Sequence, residues 1–421
     1  MKLHFTVLVF LLSLTVYGQF DNHFSSGTLR LDYYITGNKH ESAFSFDRLV
    51  FEPFWGGSRT QLTDAFDYGD YRFEVLDSAS QKILYSRGFS SLFKEWQTTP
   101  ESEVLDRTYT GSVVFPFPRK TVEVIIYERV KRRNWEEKFS YFVNPASPYI
   151  AKNPVLFPYE ALKQNGDPSV KLDLVFLPEG YTVKEMKKFR KDCEKFMNAL
   201  LDCTPYDQQK ADINFWMVMA PSEGSGVDNP GLNQWVNTIV NASFYTFEIE
   251  RYMTTIDFKS VRDVAGCAPY DQICILANTE KYGGSGVYNY YSLSSADNEK
   301  SFYVFTHEFG HAFAGLGDEY YSSSVAYEEF YPLTVEPWEP NLTTLVDFNS
   351  KWQKMLDPST PVPTPPDKNH PEKLGVFEGG GYVDKGVYRP RLDCSMKSTA
   401  YNYFCPVCQD AIVRMIGLYT K

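Results

Sequence analysis

The chain is poor in histidine, and cysteine is missing from its first 192 residues. Six histidines occur in 421 residues, and none of the seven cysteines precedes Cys193. Disulfide bonds therefore cannot hold the segment before Cys193 together. Because seven is an odd number, at least one thiol must stay unpaired or pair with another molecule.

Three other absences exclude classes of partner. After residue 18, no apolar run reaches the ~18 residues that a membrane-spanning helix needs. The phosphate-loop pattern GxxxxGK(S/T) does not occur, and the formal net charge of −11 disfavours nucleic acid and anionic membranes as partners. We therefore expect neither nucleic-acid binding nor membrane insertion, and we expect a monomer.

Residues 1–18 have the features of a secretory signal peptide. Lys2 supplies the single positive charge, an apolar stretch follows, and Gly18 provides a small residue for cleavage before Gln19. No cysteine lies near that point, which argues against a lipoprotein anchor. The sequence thus predicts an exported protein that is periplasmic, bound at the cell surface or secreted.

The next segment alternates polar and apolar residues in short runs, which is typical of strands with one buried face. The clearest runs are residues 28–35, 71–75, 111–115 and 121–127. We predict an N-terminal antiparallel β-sandwich over residues 19–148, which ends at the proline-containing segments 144–148 and 153–154. This domain is expected to fold alone, to serve substrate docking or scaffolding, and to contribute no catalytic residue.

Residues 149–421 follow a different pattern, in which apolar strands alternate with helical periodicity. Residues 183–201 place apolar side chains at helical spacing. Apolar runs typical of buried strands occupy residues 171–177, 213–220 and 272–277. This alternation predicts an α/β domain, so the expected class of the whole chain is α+β.

The most informative segment is HEFGH at residues 307–311. On a helix, His307 and His311 lie one turn apart on the same face, where both imidazoles can bind one zinc ion. Glu308 then reaches a water on that zinc, which lowers the pKa of the water toward neutrality. The pattern predicts one catalytic zinc with Glu308 as the general base.

A third metal ligand is expected just after this helix. Gly315 and Gly317 end the helix and let the chain turn back. A carboxylate just past such a turn can reach the metal, and we predict that Asp318 does so. Glu319, at the next position, is the alternative.

This segment resembles the metzincin signature HExxHxxGxxH/D, with one departure. In the signature register, the glycine would fall at Ala314 and the third ligand at Gly317, whereas this chain has them at Gly315 and Asp318. Metzincins also carry a methionine in a tight turn beneath the metal. Met396, in the segment CSMKS, fits that position.

The chain resembles the IgA-peptidase-like family of bacterial zinc metallopeptidases from about residue 150 to residue 421, with a family-typical β domain before it. The matching segments are 222–230, Asn278, 282–286, 307–320, 388–396 and 404–408. The resemblance implies a metzincin-like catalytic fold, one zinc, and hydrolysis of a protein or peptide substrate. It does not imply that IgA is that substrate.

Four further residues are candidates to contact the substrate or the oxyanion. Gly283 and Gly284 lie in a glycine-rich segment, which in metzincin-like sites forms an edge strand that pairs with the substrate backbone. An ordinary glycine-rich turn is the alternative. Tyr320 and Tyr388 are candidates to donate a hydrogen bond to the oxyanion, and packing is the alternative role for both.

The last cysteines leave two interpretations open. Cys405 and Cys408 form a CxxC pair, and Cys394 is close in sequence. A structural zinc site needs a fourth ligand, and the sequence has no second CxxC, so we favour a disulfide or buried thiols. Cys193 and Cys203 are too far apart on one continuous helix to form a disulfide.

The sequence as a whole predicts an exported zinc endopeptidase, and two alternatives remain. One is another zinc-peptidase architecture with a downstream glutamate, Glu328 or Glu329, as third ligand; the glycine turn before Asp318 argues against it. The other is a non-enzymatic exported binding protein with a vestigial zinc site. The presence of Glu308 argues against that alternative, because a purely structural metal site needs no general base.

Overall fold

The computed structural model describes residues 20–152, 155–321, 331–367, 369–400 and 403–420. The predicted signal peptide, the second linker segment, Glu328 and Glu329 lie outside the described residues. Within those ranges the fold is a mixed α+β arrangement, as the sequence predicts. No helix in the described part of the chain is long and apolar enough to cross a membrane.

The N-terminal part consists mainly of strands, and a short helix α1 (Leu92–Trp96) follows the fourth of them. The strands are β1 (Phe24–Gly37), β2 (Ser42–Glu52), β3 (Tyr71–Asp77), β4 (Ile83–Phe89), β5 (Arg107–Pro118), β6 (Val122–Val130), β7 (Asn134–Val143) and β8 (Ile150–Lys152). They form two four-stranded sheets in the orders β5-β1-β2-β8 and β4-β3-β6-β7. Neighbouring strands are antiparallel, except that β8 runs parallel to β2.

Aromatic rings join these two sheets. Phe44 of β2 contacts Tyr71 of β3 at a centroid distance of 6.0 Å, and Phe73 of β3 contacts Phe115 of β5 at 6.5 Å. Alternate residues of β1 enter the same core, as the two-residue period of a strand requires. These residues are Leu29, Leu31, Tyr33 and Ile35.

The second part contains a six-stranded sheet with helices on both faces. Its elements are β9 (Tyr159–Lys163), β10 (Leu172–Glu179), α2 (Met186–Leu201), β11 (Ile213–Val218), α3 (Phe258–Ala265), β12 (Gln272–Ala277), β13 (Gly284–Val287), β14 (Tyr291–Ser295), α4 (Ser301–Ala314), β15 (Phe377–Gly380), β16 (Val383–Arg389) and α5 (Pro406–Thr420). The sheet order is β13-β14-β12-β10-β11-β9, with four parallel central strands and an antiparallel strand at each edge. Strands β15 and β16 form a separate hairpin.

The central strands divide the apolar residues between two cores. Along β10, Val175 and Leu177 face the core shared with α3 and the N-terminal sheets, whereas Leu174 and Phe176 face the core that contains α2, α4 and α5. Because strands buried on both faces read as continuous apolar runs, this arrangement explains why β10, β11 and β12 are recognisable in the sequence. Helix α4, which carries the HExxH motif, lies against β13 and β14.

The two parts of the chain share a core, which the sequence did not predict. Apolar residues of the N-terminal sheets and of the six-stranded sheet belong to one buried cluster. The buried guanidinium of Arg30 in β1 contacts Glu52 at 3.0 Å and Asp263 of α3 at 2.5 Å. Strand β8, beyond the predicted boundary at residue 148, still belongs to the first sheet. The N-terminal part would therefore expose a buried face if expressed alone, and its independent folding stays a prediction.

Candidate active site

Helix α4 presents the two motif histidines on one face. Its apolar residues Phe305, Phe309 and Phe313 pack into the core, which fixes the rotation of the helix. His307 and His311 are then neighbours, with ring centroids 4.7 Å apart and Nε2 atoms 3.1 Å apart. The one-turn spacing predicted from the sequence is thus what the fold provides.

A glycine ends the helix and reverses the chain. Gly315 has φ +63°, in the left-handed region that favours glycine. Its N–H donates to the His311 carbonyl, and the N–H of Leu316 donates to the Gly310 carbonyl. This capped turn returns the chain toward the helix and brings Asp318 beside the histidines.

Asp318 completes a cluster of three donor atoms. Its Oδ1 lies 3.1 Å from Nε2 of His307 and 3.3 Å from Nε2 of His311. Glu319, the alternative third ligand, has its carboxylate in a different cluster and faces Cys394. The structure therefore brings together His307, His311 and Asp318, and not Glu319.

The outer nitrogen of each histidine contacts a backbone carbonyl. Nδ1 of His307 lies 2.8 Å from the Ser395 carbonyl, and Nδ1 of His311 lies 2.5 Å from the Leu316 carbonyl. A carbonyl oxygen only accepts, so in a neutral imidazole the proton resides on Nδ1 and Nε2 carries a lone pair. Two lone pairs and the carboxylate oxygen of Asp318 then converge. Zinc bonds of ~2.0–2.2 Å in a tetrahedron imply donor separations of roughly 3.3–3.5 Å, so the cluster fits a divalent cation.

The charges in this cluster are strongly coupled. Burial would raise the pKa of Asp318, but the positive charges of His311 and His307 and their hydrogen bonds hold it well below its ordinary value. Burial would lower the pKa of His311, but Asp318 and Glu308 raise it to about 9. The buried carboxylate therefore favours positive charge beside it, either as protons on the histidines or as a metal cation.

Two tyrosines lie against Asp318. The Tyr382 hydroxyl donates to Oδ2 at 2.6 Å, which leaves Oδ1 directed at the histidines. Tyr320 lines the same cleft, and burial together with the Asp318 charge raises the pKa of its phenol well above the ordinary value. Tyr388, the other predicted tyrosine, packs against the core instead, and its backbone pairs with Thr343.

Met396 lies in the turn beneath the cluster. Its side chain is buried, and an added side chain at Gly310 of α4 would meet its Sδ at 3.0 Å. The Met396 carbonyl accepts from the Glu319 N–H at 2.8 Å, and the preceding carbonyl, of Ser395, contacts His307. The turn therefore supports both a histidine and the residue after Asp318, although the two segments are far apart in sequence.

Glu308 faces a cleft of about 490 Å³ that also contains the three-residue cluster. Burial raises the pKa of its carboxyl, while the charges of His307 and His311 oppose that rise. A carboxylate with a raised pKa is better suited to accept a proton near neutral pH. The cleft is also lined by Arg251, Tyr252, Tyr282, Tyr303, Glu339 and Lys397.

The predicted glycines Gly283 and Gly284 line this cleft, and Gly284 begins the edge strand β13. Packing against α4 requires glycine at two positions of this strand, Gly284 and Gly286. An added Cβ would lie 2.6 Å from Val304 at Gly284 and 2.1 Å from the Glu308 carbonyl oxygen at Gly286. Glycine thus allows the helix that carries Glu308 to approach the strand, a reason that the sequence analysis did not consider.

Two family models match most of the chain. A family model described as IgA Peptidase M64 matches residues 161–370 and 366–416, and one described as Peptidase M64 N-terminus matches residues 19–140. The first model alone covers more than half of the chain.

The chain belongs to the IgA peptidase M64 family. The predicted family resemblance is confirmed, and an M64 peptidase acts on a protein or peptide substrate. A search of curated proteins found no match.

The N-terminal part of this M64 peptidase contributes to the cleft. Asp70, Ser90 and Glu95 lie among its lining residues. The Ser90 N–H donates to the Tyr288 carbonyl at 2.9 Å, and the Tyr252 hydroxyl donates to Glu95 at 2.5 Å. The predicted scaffolding domain therefore supplies part of the wall around the site.

Two segments that match the family pattern, 222–230 and Asn278, have a structural role in the M64 fold. Glu185, just before α2, accepts from Ser225 at 2.9 Å and from Asn278 at 3.0 Å. Burial opposes ionisation of Glu185, yet hydrogen bonds from Thr182, Ser225 and Asn278 hold its pKa at about 2. These residues join three loops near the strand ends without reaching the cleft.

Two features of the M64 site were missed by sequence reasoning. Tyr382 follows the glycine run 379–381 in the loop between β15 and β16, and only that run marks the segment as unusual. Glu319 was considered as an alternative ligand at the active site, but its side chain points to the cysteines. Its position one residue after Asp318 does not reveal this direction.

Proposed function

We propose that this M64 peptidase is an exported zinc-dependent endopeptidase that cleaves peptide bonds in protein substrates. The observation that carries the proposal is the convergence of His307 Nε2, His311 Nε2 and Asp318 Oδ1 in the cleft that contains Glu308. We further propose that the two N-terminal sheets form an antiparallel β-sandwich and that the second part has a metzincin-like catalytic fold. Export rests on the signal-like residues 1–18.

His307, His311 and Asp318 would hold the zinc, which would act as a Lewis acid on a water molecule and on the scissile carbonyl. Glu308 accepts a proton from the attacking water and delivers it to the nitrogen of the leaving amine. Tyr382 keeps Asp318 oriented through its hydrogen bond to Oδ2. Met396 shapes the floor beneath the cluster and takes no part in proton transfer.

Tyr320 is the candidate donor to the developing oxyanion. It lines the cleft beside Asp318, and the raised pKa of its phenol keeps the hydroxyl protonated. A protonated hydroxyl at the reacting carbonyl would stabilise charge that forms only in the transition state. An extended substrate would lie along the glycine-rich edge β13, near Gly283.

The substitution Glu308→Gln tests this function. The amide has almost the shape of the carboxylate but cannot accept a proton, so peptide hydrolysis should fall by at least ~10²- to 10⁴-fold. Zinc content and thermal stability should remain close to those of the unsubstituted protein. Hydrolysis of a mixed peptide library, metal analysis and thermal unfolding measure the three quantities.

The matched control is Glu299→Gln, which makes the same chemical change at an exposed residue just before α4. This control should hydrolyse peptides at the unsubstituted rate. Undiminished hydrolysis by Glu308→Gln contradicts the proposed mechanism. A zinc-loaded, unsubstituted protein that cleaves no peptide in the library would favour the binding-protein alternative.

A further inference from the structure

A second cluster of metal-ligand residues lies behind the active site. It consists of Glu319, Cys394, Cys405 and Cys408, and all four side chains are fully buried. One candidate ligand atom from each residue lies within 4.8 Å of those of the others. The residues come from three separate segments: the loop after α4, the turn that contains Met396, and the start of α5. Chain folding thus assembles a compact four-donor set.

The distances in this cluster match a tetrahedral metal site. Cys394 Sγ lies 3.1 Å from one Glu319 oxygen, and Cys408 Sγ lies 3.5 Å from the other. The Sγ atoms of Cys405 and Cys408 are 3.5 Å apart. Zinc–sulfur bonds of ~2.3 Å and zinc–oxygen bonds of ~2.0 Å imply edges of roughly 3.5–3.8 Å. A small adjustment of side chains would place all four donors around one ion.

The surroundings favour negatively charged donors. Cys405 and Cys408 lie at the N-terminus of the fifteen-residue helix α5, where the helix dipole stabilises thiolates. The Met396 N–H lies 3.4 Å from Cys394 Sγ and can donate to a thiolate. The Asn341 amide donates to the Glu319 carboxylate at 2.9 Å. The thiols beside it are weak donors, so they add little compensation for burying this carboxylate.

We infer that Glu319, Cys394, Cys405 and Cys408 bind a second, structural divalent cation of the zinc type. Three thiolates select a thiophilic metal, and four protein donors without solvent access leave no position for a substrate. The sequence has no second CxxC to supply a fourth ligand, and the structure places Glu319 beside the three buried thiols as the fourth donor. This site does not depend on the proposed catalysis.

The second cation would hold the ligands of the first site in place. Glu319 directly follows Asp318, and its N–H donates to the Met396 carbonyl at 2.8 Å. Cys394 directly precedes Ser395, whose carbonyl contacts Nδ1 of His307 at 2.8 Å. Fixing Glu319 and Cys394 to one ion therefore fixes both neighbours that orient the catalytic cluster.

Metal content and cobalt spectroscopy of the whole mature protein test this inference. Purified protein should contain two zinc ions per chain, and His307→Ala should contain one. Protein reconstituted with Co²⁺ should show the near-ultraviolet thiolate-to-cobalt charge-transfer absorption, because the active-site cluster has no sulfur donor. His307→Ala should keep that absorption in full.

Cys394→Ser should lose the thiolate absorption, and Cys203→Ser is the matched control because Cys203 is a buried thiol outside the cluster. The control should keep two metal ions and the absorption. The unsubstituted protein decides the question even if Cys394→Ser does not fold. One ion per chain without thiolate absorption, or a Cys405–Cys408 disulfide in the isolated protein by mass spectrometry, overturns the inference. Loss of peptidase activity alone, with the absorption retained, would count only against the proposed catalysis.

Discussion

Asp318 and Glu319 are adjacent in the chain, but their carboxylates belong to two clusters with different exposure and chemistry. Asp318 joins two imidazoles at the wall of a cleft, where the side chain of His311 retains 16% of its accessible surface. Glu319 joins three thiols in the protein interior, where none of the four side chains is exposed. One cluster can meet a substrate, and the other cannot.

This difference shows how one turn can serve both chemistry and stability. In an extended segment, successive side chains point to opposite sides, so a carboxylate pair can serve two sites back to back. The open cluster (His307, His311 and Asp318) keeps a position for water and substrate, as catalytic metal sites do. The closed cluster (Glu319, Cys394, Cys405 and Cys408) has the four protein donors of a structural site. Removing the Asp318 carboxylate should therefore produce a different defect from removing the Glu319 carboxylate.

The largest effects are expected when each of the two carboxylates is replaced by alanine in a separate variant. Asp318→Ala should abolish measurable peptide hydrolysis, while the thiolate–cobalt absorption remains. This loss exceeds the ~10- to 100-fold that is typical when a residue that only hydrogen-bonds to a metal ligand is removed. Glu319→Ala should remove that absorption and lower the free energy of unfolding by about 3–5 kcal/mol, because it breaks a buried charged cluster. Peptide hydrolysis and thermal unfolding measure the two defects. Equal defects in the two variants would contradict the division of roles.

Chelation should separate the two clusters in time. A small chelator reaches the cleft directly, so hydrolysis should disappear when about one of two metal ions has been removed. The fold should persist at that stage, because the sealed cluster needs local opening before it releases its ion. Metal analysis and circular dichroism at successive times follow both steps. Simultaneous loss of both ions would show that the clusters are equally accessible.

Tyr382→Phe tests whether the Tyr382 hydroxyl orients Asp318 in the open cluster. The variant loses only the hydroxyl that donates to Asp318 Oδ2 at 2.6 Å. Loss of such an outer partner typically weakens metal binding or activity by ~10- to 100-fold. Tyr388→Phe is the control, since that residue packs against the core, and it should leave zinc affinity and hydrolysis near the unsubstituted values. An equal effect of both substitutions would contradict the role given to Tyr382.

The smallest predicted effect concerns the strand beside the open cluster. In Gly286→Ala the new Cβ would lie 2.1 Å from the Glu308 carbonyl oxygen, so α4 must shift. Such overpacking costs typically ~1–3 kcal/mol of stability and should lower kcat by moving Glu308. Thermal unfolding and steady-state kinetics test it. The thiolate absorption should not change, because none of the residues of the cysteine cluster belongs to this strand or to α4.

The parts of the fold that could be predicted have unambiguous periodicity. The strand predicted at residues 272–277 matches β12, and the helix predicted over residues 183–201 contains α2. Strands β2 and β7 were missed, because both mix charged and aromatic residues and lie half exposed. Their positions depend on pairing with distant strands, which a local pattern does not contain.

The distinction between local patterns and long-range contacts also explains which active-site residues could be predicted from the sequence. His307, Glu308 and His311 lie on one helix, so their spacing alone indicates that they share a site. Asp318 follows a glycine turn, which is still local. The contact of Tyr382 with Asp318 and the approach of Glu319 to three cysteines arise between segments more than sixty residues apart. Sequence reasoning has no local signal for such contacts.

The dependence of His307 on the Ser395 carbonyl has a consequence for biosynthesis. Helix α4 can form early, but its histidine lacks that carbonyl until residue 395 has been made and has folded back against it. The start of α5 at Pro406 is later still, and it carries two of the thiols behind the turn. A nascent or C-terminally truncated chain would therefore contain the complete HExxH motif without the support that orients it. Proteolytic activity would thus be withheld until residues 395–408 have been synthesised and have folded against α4.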